Sequence, residues 1–204
     1  MSRIDVLKKH YEPRLDKYSD NSKVLDWENE DAQYKRFIAM TDNIDLSCRT
    51  VLDIGCGCGD LFDWFKKQNI SAVYSGVDIL DQMIARAKQS YPEAVFFCAD
   101  IFDSEFNSEI ELSRKTYDIT FTSGIFNLDA GNNEVFLRKA VPVIASLSEE
   151  AFVFNLLDPS SPDKDDNYFY FEPDAAIELV SGYAEKIELI QGYLDNDYTL
   201  ICRK

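Results

Sequence analysis

The residues with the clearest chemical potential sit where an apolar run meets three alternating glycines. Positions 51–61 read Val-Leu-Asp-Ile-Gly-Cys-Gly-Cys-Gly-Asp-Leu. Glycine at such a junction lets the backbone turn tightly and approach a ligand closely. A dinucleotide loop has the form G-x-G-x-x-G/A, with its third small residue packing helix against strand. Counted from Gly55, that third position is Asp60. A carboxylate at a helix N-terminus would oppose the pyrophosphate that such a loop binds. Acidic residues recur beyond it: Asp53, Asp78 and Asp100 each fall at the end of an apolar run. Together with Asp60 they suit a net-cationic ligand that carries no phosphate.

These residues need a frame, and the patterning supplies one. From residue 50 onward, short apolar runs (50–54, 73–77, 95–98, 119–122 and 152–157) alternate with helix-like stretches (61–67, 82–90, 134–147 and 173–180). Continuous apolar strands alternating with helices predict an α/β fold, a parallel sheet covered on both faces. The last runs, 186–190 and 198–202, are separated by Gly192, Asn196 and Asp197, with no room for a helix. They read as a hairpin, which ends the sheet on an antiparallel strand. The first 45 residues show no strand pattern. Leu7, Tyr11, Leu15 and Tyr18 recur at helical spacing over 5–18, Asp20-Asn21-Ser22 breaks that helix, and a second helix is predicted over 30–40. The expected organisation is one domain, 1–204, with a helical cap over 1–45 and a Rossmann-like core over 46–204.

Composition narrows the partners. The chain has 204 residues, with 21 Lys and Arg against 37 Asp and Glu, a formal net charge of −16. Phosphate contacts come largely from Lys and Arg, so nucleic acid is an unsuitable partner, as is an anionic membrane surface. A hydrophobic content of 46% excludes an acidic disordered chain. No run approaches the 18 or so apolar residues of a membrane span. Five cysteines, an odd number, and no apolar signal core point to a reduced, cytoplasmic protein. Cys56-x-Cys58 has the wrong spacing for a zinc knuckle and the single histidine, His10, is distant, so no metal is expected.

The glycine stretch resembles motif I of the class I S-adenosylmethionine-dependent methyltransferases, and the resemblance continues in order. Gly76-Val77-Asp78-Ile79 looks like the end of the family's second strand, Cys98-Ala99-Asp100-Ile101 like the end of its third, and 117–124 like its fourth-strand motif. Among such enzymes the chain is most similar to poorly characterised bacterial small-molecule methyltransferases. The resemblance implies a seven-stranded sheet of order 3-2-1-4-5-7-6 and S-adenosylmethionine as cofactor. It implies that Asp78 receives the ribose hydroxyls and Asp100 the adenine amino group. Alternatives remain: Asp78 capping the next helix, Asp100 capping a turn, and Asp53 either receiving the ligand's ammonium or bracing the loop. Asp60 is expected to cap or electrostatically favour its helix. Gly55, Cys56, Gly57 and Gly59 form the loop, with Ile79, Met83 and Ile101 as apolar walls or core residues.

On the acceptor side, Ser123, Asn127, Asp129 and Asp158 follow the fourth and fifth strands; Ser123 is also expected to reach the cofactor, and Asn127 is either the polar contact to a small-molecule acceptor or a turn residue. The loop 158–167 reads as a lid. The aromatic run 168–171 reads either as pocket lining or as an alternating strand with two rings on the core. In the cap, Tyr11, Arg14, Trp27 and Arg36 are the candidates to close on the cofactor, against a core role for the Trp and a surface role for each Arg. Two rivals stand beside methyl transfer: a non-catalytic binder of the same cofactor, and a nicotinamide-dependent oxidoreductase, which Asp60 argues against.

Overall fold

The computed structural model describes residues 2–27, 29–103 and 116–204. Strands β1 (Thr50–Ile54), β2 (Val73–Asp78), β3 (Val95–Cys98), β4 (Tyr117–Thr122), β5 (Ser148–Leu157), β6 (Lys186–Ile190) and β7 (Asp197–Arg203) form a sheet of order β3-β2-β1-β4-β5-β7-β6. Pairing is parallel from β3 across to β5, while β7 runs antiparallel to both β5 and β6. The Rossmann-like order and the antiparallel end agree with expectation. β1 pairs with both β2 and β4, so the strand order reverses there. Ligands in open α/β sheets bind beyond the carboxyl ends of the strands at such a reversal.

Strand alternation explains the two helical layers. Leu52, Ile54, Phe152 and Phe154 face one side, where they pack with Leu137 and Val141 of α6 (Asn133–Leu147) and Val180 of α7 (Pro173–Val180). Val51, Phe121 and Val153 face the other, against Leu61 and Phe65 of α4 (Asp60–Lys67) and Ile84 of α5 (Asp81–Ser90). Burial on both faces is why these strands read as continuous apolar runs. The pattern missed the start of β5: Ser148-Glu149-Glu150 is polar, yet it belongs to the strand.

Three helices precede the sheet: α1 (Arg3–Lys17), α2 (Asn21–Val24) and α3 (Glu30–Thr41). Ser2 and Asp5 form a reciprocal capping box at the start of α1. No residue of α1 is fully buried, but Leu7, Tyr11 and Leu15 pack on Val24, Leu80 and Met83. The Asp20-Asn21-Ser22 break does end α1, and it also starts a helix the sequence reading lacked. The Asp20 side chain caps α2 by accepting the Ser22 N–H. Among the described residues no helix is long and apolar enough to cross a membrane.

Candidate active site

The cradle is built mostly by backbone. Between β1 and α4, Gly55, Gly57 and Gly59 all adopt positive φ (76°, 53° and 89°), which side-chain-bearing residues rarely tolerate. A Cβ on Gly55 would lie 2.1 Å from Ile125 Cγ2. The Gly55 and Cys56 N–H groups both donate to the Val77 carbonyl oxygen, at 2.7 and 3.0 Å. Asp78 fastens the arrangement: its Oδ2 accepts the Gly57 N–H at 3.0 Å and its Oδ1 accepts the Leu80 N–H at 2.9 Å. Loop bracing, considered for Asp53, therefore belongs to Asp78, and the turn into α5 is held by the same carboxylate. A carboxylate offers about four acceptor positions, so two such bonds leave capacity for a ligand.

Two further carboxylates lie beside it. Asp53 is only 3% exposed and accepts the Tyr74 hydroxyl at 2.7 Å. Burial, augmented by Asp78 and Asp60, pushes its pKa up to about 7. Asp60 is not the cap of α4; Gly59 occupies that position, and Asp60 is the first helical residue. It instead accepts the Asn21 side-chain amide at 2.7 Å and so ties the cap to the loop. Burial raises the pKa of Asp60 and of Asp78 as well. Three neighbouring carboxyls held above their ordinary range, Asp53 buried and Asp60 and Asp78 partly so, make an environment that stabilises a cationic group.

Above the cradle lies a cavity of about 830 Å³. One wall carries Asp53, Gly55, Cys56, Gly57, Asp78, Ile79, Met83, Asp100, Ile101 and Phe102, and the next carries Ser123, Gly124, Ile125 and Asn127. The cap roofs it with Arg3, Tyr11, Asp26, Trp27 and Arg36, and residues 161–163, 168, 170 and 194–196 complete it. Of the residues expected at the site, Gly59, Arg14, Asp129 and Asp158 do not line the cavity; the others do. A Cβ on Gly59 would meet Tyr91 and Phe96, so this glycine shapes the start of α4 instead.

Several expectations are refined. Arg36 is no surface residue: it is 4% exposed, its Nε donates to Asp197 Oδ2, and its guanidinium lies 4.1 Å from the Trp27 ring centroid. Trp27 is half-buried and meets Gly124, where a Cβ would come within 3.0 Å of its ring. Met83 combines both roles considered for it, since it lines the cavity while its Sδ lies 3.4 Å from Cys58 Sγ. Asp100 is exposed at the edge, and its Oδ1 accepts the Phe102 N–H at 3.0 Å. The aromatic run divides by alternation: Tyr168 and Tyr170 face the cavity, while Phe169 and Phe171 pack on the core.

The sequence reading missed Arg3, Asp26 and residues 194–196. Arg3 reaches across from α1, donating to the Ile125 carbonyl oxygen at 2.6 Å and lying 3.8 Å over Phe136. Asp26 receives Arg14, the Tyr168 hydroxyl at 2.8 Å and His10 at 3.0 Å. These contacts depend on how the cap folds back, and no local pattern marks them.

Among the described residues, the Trp27 Nε1, Ser123 Oγ and Asn127 Oδ1 atoms are buried without a hydrogen-bond partner. All three residues line the cavity. Buried polar groups are ordinarily satisfied, so orphaned atoms around one cavity point to a ligand that satisfies them. Residues 51–146 match the sequence family described as a methyltransferase domain. That stretch carries a methyltransferase domain. The residues fit S-adenosylmethionine, the cofactor that the sequence resemblance implies: glycines whose added Cβ would clash, and an acidic wall for a cationic ligand. The domain is similar to a Mycobacterium tuberculosis protein named "Putative methyltransferase Rv1506c", at 26% identity over 166 residues, covering 76% of this chain and 93% of the relative. In fold it is similar to an S-adenosylmethionine-dependent methyltransferase from Archaeoglobus fulgidus, with a TM-score of 0.62, 16% identity and 100% coverage of both chains. It is likewise similar to the N-methyltransferase NodS from Bradyrhizobium japonicum, solved with S-adenosylhomocysteine, with a TM-score of 0.62, 12% identity and 96% coverage of each.

Proposed function

We propose that this methyltransferase acts on a small-molecule acceptor by in-line displacement. The observation that carries the reading is the covered cavity of about 830 Å³, roofed by the helical cap and holding the orphaned Ser123 and Asn127 side chains. Small-molecule sites typically run from about 300 to 1,000 Å³. Bound S-adenosylmethionine supplies an electrophilic methyl group on a sulfonium, a substrate for displacement with a good leaving group.

The chain's own part is to bind, orient and exclude water. Asp78 receives the ribose hydroxyls on its remaining acceptor positions, and Asp100 the adenine amino group. Ile79, Met83 and Ile101 supply the apolar wall. Gly55, Cys56 and Gly57 allow close approach of the amino-acid portion. Asp53 attracts its ammonium and Arg36 its carboxylate. Trp27 packs at the sulfonium end beside Gly124 and Ser123, and Asn127 orients the acceptor. His10, the only histidine, sits behind the lining on Asp26, so it holds the cap rather than serving as base. Residues 1–204 form one domain in this reading, the cap (1–45) closing the core (46–204). Five free thiols support a cytoplasmic setting.

The test is a release assay for S-adenosylhomocysteine across a metabolite library. Acceptor-dependent release from a compound of a few hundred daltons is expected. Silence across the library, with the cofactor bound, would favour a non-catalytic binder.

A further inference from the structure

The charges on the cavity wall restrict what the acceptor can be. Among the described lining residues are eight aspartates, no glutamate or lysine, and two arginines. Both arginines are engaged. Arg36 serves Asp197 and stacks on Trp27, while Arg3 serves the Ile125 carbonyl oxygen, Asn133 and the Phe136 ring. Lys164, next to the lid's lining residues, is not itself part of the lining; its ammonium donates to the Pro159 carbonyl oxygen at 2.5 Å and lies 5.9 Å from the Tyr170 ring centroid. Among the described residues, no unpaired cation therefore lines the acceptor end, and a carboxylate or phosphate entering there would meet Asp163, Asp165 and Asp195 at the rim. A cation would be attracted by the same rim and by the tyrosine rings of Tyr11 and Tyr168.

A second observation concerns the hydrogen bond on offer. Asn127 is 8% exposed, lines the cavity, and holds its Oδ1 buried without a partner. An oxygen there needs a donor, and an N–H is the donor that an amine brings. Its backbone is fixed for the purpose: the Asn127 N–H donates to the Gly124 carbonyl oxygen at 3.1 Å, and its own carbonyl oxygen accepts the Phe169 N–H at 2.7 Å.

We propose that the acceptor is a small amine on an apolar frame with no anionic group, methylated on nitrogen. This rests on the small-molecule reading above and names the substrate class for the same site. The amine enters as its ammonium, drawn by the rim, and loses one proton to water at the mouth. Asn127 Oδ1 accepts a remaining N–H and so turns the nitrogen lone pair toward the methyl group. The N–C bond forms as the S–C bond breaks; its electron pair stays on sulfur, which becomes a neutral thioether. The product leaves as a methylated ammonium, with one proton released overall.

The test uses three compounds on one skeleton: 2-phenylethylamine, 2-phenylethanol and 3-phenylpropanoate. Thermal stabilisation by S-adenosylhomocysteine is measured first. Each compound is then titrated calorimetrically into the protein saturated with S-adenosylhomocysteine, and mass spectrometry follows methylation with S-adenosylmethionine. The amine is expected to bind at least tenfold tighter than the carboxylate and to gain one methyl group. Asp163→Asn combined with Asp195→Asn should weaken amine binding about two- to fivefold, the scale of exposed charge contacts, and leave S-adenosylhomocysteine affinity unchanged. Equal or tighter binding of the carboxylate overturns the proposal. So does failure of all three compounds to bind a protein that S-adenosylhomocysteine does stabilise. Absence of that stabilisation is a separate result: it removes the reading on which the proposal rests, and the proposal with it.

Discussion

The two ends of the cavity are built differently. At the cofactor end, the loop from Gly55 to Gly59 is held through its backbone N–H groups: those of Gly55 and Cys56 on the Val77 carbonyl oxygen of β2, and that of Gly57 on the Asp78 carboxylate. At the acceptor end, Trp27, Ser123 and Asn127 hold buried polar atoms that no described residue satisfies. Their surroundings are set by long-range side-chain contacts: Arg36 with Asp197, Tyr168 with Asp26, and Arg3 with Ile125. A backbone-built site needs a short, fixed string of residue types. A side-chain-built site depends on segments far apart in sequence.

The largest test of this contrast concerns the cap joint. Arg36 and Asp197 are 4% and 2% exposed, and Tyr193 donates a second hydrogen bond to the same carboxylate at 2.6 Å. Removing one partner of a buried ion pair typically costs about 3–5 kcal/mol, because the other is left uncompensated. Arg36→Met should lower unfolding stability by about that amount in urea denaturation. A change under about 1 kcal/mol, the scale of an exposed pair, would show that the joint does not hold the cap on the core.

The next test sharpens the cofactor end. Burial holds the Asp53 carboxyl at about 7, well above its ordinary range near 3.9. The folded protein therefore keeps a proton that the unfolded chain has lost, so this group makes stability fall as pH rises from about 4 to about 7. A ligand ammonium draws the ionised form. Affinity for S-adenosylhomocysteine should rise with pH, by up to about tenfold per unit below 7, and level off above it. Asp53→Asn should flatten that rise in titrations at pH 6, 7 and 8. An identical slope in the variant would place the titrating group elsewhere, Asp60 and Asp78 being the neighbours also raised by burial.

The smallest effect belongs to the lid. Tyr168→Phe removes one hydrogen bond to Asp26, which keeps Arg14 and His10. The loss should be about 1 kcal/mol, a drop of a few degrees in Tm, with affinity for S-adenosylhomocysteine unchanged. A loss of cofactor affinity would show that the lid belongs to the cofactor end.

The same contrast explains what could be read from the chain. The order and direction of strands followed from apolar runs such as Val51-Leu52 and Phe152-Val153, because burial on both faces writes itself as continuous hydrophobicity. Asp78 was legible because its place at a strand end is local. The division of labour between Asp53 and Asp78 was not, since it depends on which carboxylate the loop amides meet. Gly59 looked like its neighbours in sequence, yet it packs against Tyr91 and Phe96 outside the cavity. Arg36 resembled a surface residue because its partner lies 161 positions away. Arg3 and the 194–196 turn carry no pattern that separates them from ordinary helix and hairpin residues.

Calorimetric titration of S-adenosylhomocysteine into the wild-type protein, Asp78→Ala and Asn127→Ala tests most directly whether the two ends are separate. Hydrogen bonds to a carboxylate are worth roughly 1.5–3 kcal/mol each, so Asp78→Ala should weaken binding at least about tenfold. Asn127→Ala should bind within about twofold of wild type, because the role proposed for its oxygen is on the acceptor. Equal losses in both variants, or a larger loss for Asn127→Ala, would contradict the division of the cavity into a cofactor end and an acceptor end.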